Sequence, residues 1–379
     1  MNDPLRLLLA DLERDYEERR HHDVVYGAAK KRFKLDPSEF VEIRLEADPR
    51  KTAFVDGGNG ILESAPDCLI SLNRVCHAIF RGEQKVRARD AGQAITFLSL
   101  VMPHAVVGGG GSPDAGVPRW DTRVYAYGPG GRAGEDAAAG LFPDRSDLMS
   151  IRYGGGGAHT LNDSSPIASL ARRLAEIRLA HRVVSDELDR GDILVMDGSL
   201  EASFDVERRY ADDFYDAAVR KGVIVCGLAK TTRLLTESGY SLMARVSEIS
   251  QDVPHGRWYV PVATGRFERS RSFVTAVRLH PNSRFPFRLD MLDEQFQGMT
   301  GDERNSVLGS LARNSCDIAS LGYPYGAIEV DKHAKVRANE LAMFRRALYS
   351  RRLQNPPWRE HLRHSDSVIF HDLLNRVTG

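Results

Sequence analysis

The stretch Lys51-Thr52-Ala53-Phe54-Val55-Asp56-Gly57-Gly58-Asn59-Gly60 decides how the rest of the chain is read. Thr52 to Val55 is short, β-branched and aromatic, which predicts a buried strand, and the run of turn formers after it predicts a tight loop. Asp56 then falls on the last strand residue. Gly57, Gly58 and Gly60 remove side chains just beyond it, so something bulky can come close to the carboxylate. The pattern returns at Asp192-Ile193-Leu194-Val195-Met196-Asp197-Gly198-Ser199, another apolar run ending in Asp-Gly. Asp-Gly is a common turn dipeptide, and either motif alone reads most simply as a turn. As a pair they say more: two acids at the ends of two buried strands can share one metal site if the strands are neighbours.

The bulk composition is permissive. A chain of 379 residues, 42% hydrophobic and 27% charged, suits a soluble globular protein of one large domain or two moderate ones. Lys+Arg and Asp+Glu both number 52, so net charge argues neither for nor against a polyanionic partner. A DNA-binding surface would have to arise from local segregation of charge. Cys68, Cys76, Cys226 and Cys316 form no Cys-x-x-Cys pair; three lie in apolar or mixed segments and are expected as reduced core or near-core thiols, so neither a zinc knuckle nor a disulfide framework is suggested. Leu7 to Ala10 is too short for the apolar part of a signal peptide, and no apolar run approaches a membrane span. The expectation is a cytoplasmic protein without membrane contact.

Taken in order, residues 4–20 place Leu5, Leu8, Leu9, Leu12 and Tyr16 at helical spacing, an amphipathic helix suited to packing or dimer formation. Phe40 to Leu45 alternates like an edge strand. Strands are expected at Cys68–Phe80, Ala94–Val101 and Arg123–Tyr127. Three glycine-rich stretches, Gly108–Gly111, Gly128–Gly134 and Gly154–Gly157, lack the Gly-Lys-Ser/Thr ending of a phosphate loop and read as surface loops. Residues 164–189 form a long helix, with Ser164 or Ser165 as cap and Glu176 beside its apolar stripe, able to lean toward the sheet. Strand 192–197, a helix near 206–221 and strand 223–228, ending in Lys230, come next. A meander followed by alternating strands and helices is the order of an RNase H-like fold, α/β with a mixed sheet flanked by helices. In that topology the first and fourth strands lie side by side, so Asp56 and Asp197 would meet. Further strands at 258–262, 273–279 and 285–289 extend the sheet or form a lobe over it. A helix at 302–317 and one from about 326 to 352 precede a polar tail with Pro356-Pro357-Trp358. The expected division is residues 1–35 as an N-terminal helical extension suited to dimer formation, 36–352 as the main domain and 353–379 as the tail.

Val55-Asp56-Gly57-Gly58-Asn59-Gly60, Met196-Asp197-Gly198-Ser199-Leu200, Leu228-Ala229-Lys230-Thr231, the stretch from Leu279-His280-Pro281 to Arg288-Leu289-Asp290, and Gly322-Tyr323-Pro324 together resemble the NurA nucleases. The resemblance runs over residues 40 to 350. It implies a homodimeric, manganese-dependent 5′–3′ DNA nuclease that resects DNA ends in double-strand break repair with the hexameric HerA ATPase. Asp56 and Asp197 match the family's two Asp-Gly acids, and Glu176 matches the helical glutamate before the second, with Glu187 as a rival. Tyr323 matches the aromatic of Gly-Tyr-Pro. Where the family commonly carries a histidine further along, this chain has Asp331, with His333 close by. On a helix those two positions point about 200° apart, so only one can face the metal. Asp331 is preferred because it also offers oxygen to a hard cation.

These residue types suit phosphodiester hydrolysis. It needs a deprotonated water in line with the leaving oxygen and charge neutralised on both sides, which two Mn²⁺ or Mg²⁺ ions held by carboxylates provide. Asp56 is expected to bridge both ions, Glu176 and Asp197 to complete one shell each, and Asp331 to close the site. Lys230 could hold a phosphate or be a solvated strand-end lysine. Tyr323 could stack on a base, position the water, or pack at a helix entry. Arg284 and Arg288, interleaved with Phe285 and Phe287, suit a strand gripping single-stranded DNA, or an amphipathic strand with one solvated face. Two other readings stay open: an inert adaptor for a ring ATPase, which metal binding would distinguish, and a phosphotransferase or sugar kinase, which nucleotide hydrolysis would reveal.

Overall fold

The apolar run at Phe54 does form a strand, inside one mixed sheet of eleven. The computed structural model describes residues 4–20, 24–25, 33–65, 68–88, 94–104, 119–127, 141–142, 165–236, 238–265, 271–318 and 321–355. The three glycine-rich stretches, Ser164 and the tail around Trp358 lie outside the described residues.

Helix α1 (Pro4–Arg20) is followed by a two-strand ladder of β1 (Val24–Val25) and β2 (Phe33–Lys34). Then come β3 (Val41–Glu42), β4 (Lys51–Ala65), β5 (Cys68–Arg81), β6 (Gln84–Val86), β7 (Ile95–His104) and β8 (Arg119–Tyr127). The alternating part is α2 (Ser165–Asp186), β9 (Ile193–Asp197), α3 (Asp205–Lys221) and β10 (Ile224–Ala229). After α4 (Leu242–Ile249) the strands β11 (Trp258–Gly265), β12 (Ser272–Arg278) and β13 (Phe287–Leu292) lead to α5 (Asp293–Gly298), α6 (Gly301–Arg313), α7 (Tyr325–Ala334) and α8 (Ala338–Leu353). The sheet order is β3-β11-β12-β13-β10-β9-β4-β5-β7-β8, with β6 paired to β5. The strands after β10 thus extend the sheet and form no separate lobe.

The chain forms two compact units. One comprises Met1–Asp56, His77–Gln93 and Leu179–Lys332; the other Gly57–Cys76, Ala94–Arg178 and His333–Gly379. β4 and β5 each run through both.

In the first unit β4, β9 and β10 are parallel neighbours, with Val55 opposite Met196 and Asp197 opposite Leu228. Ala53, Phe54, Val55, Ile193, Leu194, Val195 and all of β10 are buried, as expected of parallel strands covered on both faces. α3 makes the crossover from β9 to β10. Its Val206, Tyr210, Phe214 and Ala218, spaced four apart, face inward, and Gly222 ends it at φ 76°. A second core packs Leu242 and Val246 of α4 on Trp258, Val260 and Val262 of β11. The second unit holds the antiparallel ladder β5-β7-β8, where Ala168 of α2 packs on Leu69 and Val101.

Two expectations need correction. β4 does not stop at Asp56: it continues as a strand through Gly57, Gly58 and Gly60 to Ala65, so Asp56 lies within it. The glycines serve close approach rather than a turn. A Cβ on Gly57 would lie 2.9 Å from Glu176 Cγ, and one on Gly60 would lie 2.7 Å from Leu341 Cδ1. The single helix expected from 326 to 352 is two helices, with residues 335–337 outside both. There the Lys335 carbonyl accepts a bond from Arg74, 3.4 Å away, in place of a helical amide.

Candidate active site

Parallel pairing in register carries the chain from Val55 opposite Met196 to Asp56 and Asp197 side by side. α7, entered through Gly322-Tyr323-Pro324, adds Asp331. Gly322 turns the chain at φ 90°, and farther on Gly326 lets the helix close on Phe54, whose Cγ would stand 3.0 Å from an added Cβ. One ligand oxygen from each of Asp56, Asp197 and Asp331 lies within 4.8 Å of the others. The three grade outward: Asp56 is 9% exposed as a residue, the Asp197 side chain 13% and the Asp331 side chain 52%.

Lys230, just past β10, sends its ammonium between two of these acids, 2.9 Å from Asp197 Oδ2 and 2.9 Å from Asp331 Oδ1. Burial works against its charge, but the hydrogen bonds to Asp331 and Asp197 outweigh it and hold the pKa above the ordinary lysine value. The Tyr323 hydroxyl donates to Asp197 Oδ1 at 3.2 Å, and its ring meets Phe287 edge-on. Burial, then the nearby Asp197, Asp56 and Asp331, drive its pKa far upward, which favours the neutral phenol that donates to Asp197. At 7% exposure it presents almost no ring face on which a base could stack.

A groove of about 500 Å³ opens beside Asp197, with Ser199, Lys230, Thr231 and Arg233 along it and Glu201 and Arg288 in its wall. Arg284 is exposed, its guanidinium 5.1 Å from the centre of the Phe285 ring. Arg288 differs from its neighbour. It is buried, donates to Asp290 Oδ1 at 2.7 Å and Oδ2 at 2.9 Å, and pairs with Glu201 at 2.5 Å. Burial raises the pKa of Asp290, and Arg288 offsets part of that rise. The strand therefore has no solvated face at Arg288, which is built into the sheet beneath the groove.

Glu176 belongs to the second unit. It is buried, ion-paired to Arg172 one helical turn earlier, and faces Gly57, whose carbonyl accepts from Arg172 at 2.8 Å. Its rival Glu187 sits past the end of α2, where its backbone carbonyl accepts from Lys51 Nζ at 2.7 Å. Lys51 begins β4, so Glu187 is at the opposite end of the strand from the acid cluster, on the order of 15 Å away at the usual rise per residue. His333 is exposed and is not part of the cluster. The four cysteines are free, and burial pushes the Cys226 thiol up to about 12.

Sequence reading missed Arg172, Asp290 and Ser199. The first two had a signal: Arg-x-x-x-Glu on one helix face, and opposite charges two apart in an apolar strand. Ser199 lies inside the Met196–Leu200 motif, but nothing there marks its side chain for a role, and it enters through the position of the groove.

No family model matches the sequence, and no curated protein matches it. Among solved structures, the catalytic domain of human Endonuclease V is similar with a TM-score of 0.35 at 11% identity, over 90% of this chain and 97% of that one. The NurA nuclease from Sulfolobus solfataricus is similar with a TM-score of 0.52 at 11% identity, over 94% of this chain and 96% of that one. At that identity the likeness concerns the backbone alone. The chain has the fold of the NurA nuclease.

Proposed function

We infer that the chain is a divalent-metal-dependent deoxyribonuclease, and the observation that carries this is the convergence of Asp56, Asp197 and Asp331 within 4.8 Å. The donor set is all oxygen, which suits Mn²⁺ or Mg²⁺. Three carboxylates at one point repel one another, and the single charge of Lys230 between two of them offsets only part of that, which leaves negative charge for a metal to neutralise. Asp56, Asp197 and Asp331 would hold the metal, and the resemblance adds Glu176 as a further acid. Two bound ions would supply an activated water and neutralise the leaving oxygen.

The chain's own groups do the rest. Tyr323 fixes the rotation of Asp197 through its hydrogen bond. Lys230 is placed to meet a phosphate once its carboxylate partners take up other charge. Ser199, Thr231 and Arg233 offer donors along the groove for the DNA backbone, and Arg284 adds charge at the surface. Arg288 supports the groove wall through Glu201 and Asp290 and does not itself reach for DNA.

The finer reading rests on the resemblance: 5′–3′ resection of DNA ends in repair, a homodimer using the N-terminal extension, a HerA-type hexameric ATPase as partner, and work in the cytoplasm. No described helix is long and apolar enough to cross a membrane. The test is degradation of single- and double-stranded DNA with Mn²⁺, Mg²⁺ or EDTA, by wild type and Asp56→Asn. Cleavage that needs the metal and disappears in the variant is expected. Unchanged cleavage by the variant removes this site. No cleavage by wild type, even with the ring ATPase supplied, transfers the chain to the adaptor reading.

A further inference from the structure

Two cavities of about 500 Å³ flank the segment Ala229-Lys230-Thr231-Thr232. One is the groove beside Asp197. The other lies against α4 and the entrance to β13, and the chemistry above gives it no task. Phe285, Pro286 and Met243 supply its apolar surface, while Ser247, Glu248 and Gln251 bring polar atoms. α4 is used on two sides: Leu242 and Val246 enter the core, while Met243 and Ser247, with Gln251 just past the end of the helix, line the cavity. Phe285 is a large aromatic left 58% exposed at this cavity, with the Arg284 guanidinium over its ring. Lys230 lines both cavities, so a nucleic-acid backbone held at the lysine has the groove on one side and the aromatic cavity on the other.

We propose that the cavity between α4 and Phe285 is a nucleobase subsite, taking one unstacked base of a single strand whose backbone follows the groove. Phe285 stacks on the base, and Ser247 and Gln251 meet its polar edge. Every base has a face to stack, so such a site is tolerant of sequence. The identity of the ligand as DNA rests on the nuclease reading; the shape and chemistry of the cavity do not. A protein segment fits less well, because cations stand at the rim and polar side chains share the wall. The consequence is a preference for single strands, since a paired base must leave its stack to enter.

The test is equilibrium binding in EDTA, so that no cleavage intervenes, of a short fluorescein-labelled oligothymidylate and of versions with one abasic site moved along it. Wild type should lose affinity about tenfold when the abasic site falls in one register, and little elsewhere. Phe285→Ala should lose about tenfold on the intact strand and no longer sense that register. Ser247→Trp, which fills the cavity from the helix side, should do the same, with melting temperature checking the fold of both variants. The proposal is overturned if wild type does not bind the strand, if no register stands out, or if both variants bind as wild type does, the last being what a protein occupant predicts. Cleavage by wild type with Mn²⁺ is read separately. Register-dependent binding without cleavage keeps the subsite and removes the nuclease reading, and cleavage without a register does the reverse.

Discussion

The two Asp-Gly motifs are alike on paper and differ in the fold. At Asp56-Gly57 the strand runs on, and the glycine is required by a neighbour: a Cβ would press on the Glu176 side chain. At Asp197-Gly198 the strand ends, and the glycine is required by the backbone: φ is 116°, and nothing lies within 4 Å of the Cβ position. One glycine answers to space and the other to conformation. The acids differ as well. Asp197 is held by Tyr323 and Lys230 near the surface of the groove, whereas Asp56 is the most buried of the three. Equal dipeptides thus deliver two carboxylates to one point by unequal means.

The largest expected effect concerns what the motifs share. If Asp56 and Asp197 act as one cluster, Asp56→Asn and Asp197→Asn should each lower metal-dependent cleavage by roughly 10³-fold or more. The double variant should be scarcely worse than either, because groups acting as a unit are not additive. Single-turnover rates on one labelled strand give the answer, and additive losses would separate the motifs into independent sites.

A smaller effect sharpens how they differ. Gly57→Ala should cost about 1–3 kcal/mol in urea unfolding through overpacking, and Glu176→Ala in the same chain should recover part of it. Gly198→Ala should cost about 1–2 kcal/mol through backbone strain alone, with no neighbouring truncation able to relieve it. Coupling at Gly198, or none at Gly57, would overturn the distinction between space and conformation.

The smallest effect tests the anchor of the second motif. Lys230→Met should destabilise the metal-free protein by about 1 kcal/mol or less, since the lysine side chain is 42% exposed and its ion pairs are screened. Its folded pKa is raised, so its contribution is fully present below the ordinary lysine value of 10.5 and lost as pH rises through the folded value. Thermal melts of variant and wild type should therefore differ at neutral pH and converge in strongly alkaline buffer. Adding Mn²⁺ at neutral pH should raise the variant more than wild type, because the metal replaces the missing cation.

Much of this was legible from the chain. The apolar runs before Asp56 and Asp197 announce buried strands, and a meander followed by strand–helix alternation leaves few topologies in which they are not neighbours. The Gly-Tyr-Pro entrance places Asp331 on a helix, and helical geometry excludes His333 from the same face once Asp331 is turned inward. Other features were not legible. Gly57 to Gly60 carries every local mark of a turn, yet it is strand, because Glu176, Ala334 and Leu341 from distant parts of the sequence fill the room the glycines leave. The helical pattern past Ala334 continues without a breaker, yet the chain leaves the helix where Arg74 takes the Lys335 carbonyl. Arg288 reads as half of a solvated basic face, yet it is buried against Asp290.

By itself, then, the sequence determined the periodicities, the order of strands and helices, and the acids at two strands and one helix, since these depend on local spacing and on the few ways such elements can pack. Only the tertiary structure decided that the glycine strand continues, that Lys230 stands between two acids, and that Arg288 faces inward. Those outcomes turn on which remote side chain fills a space or neutralises a charge, and no local window of residues contains that information.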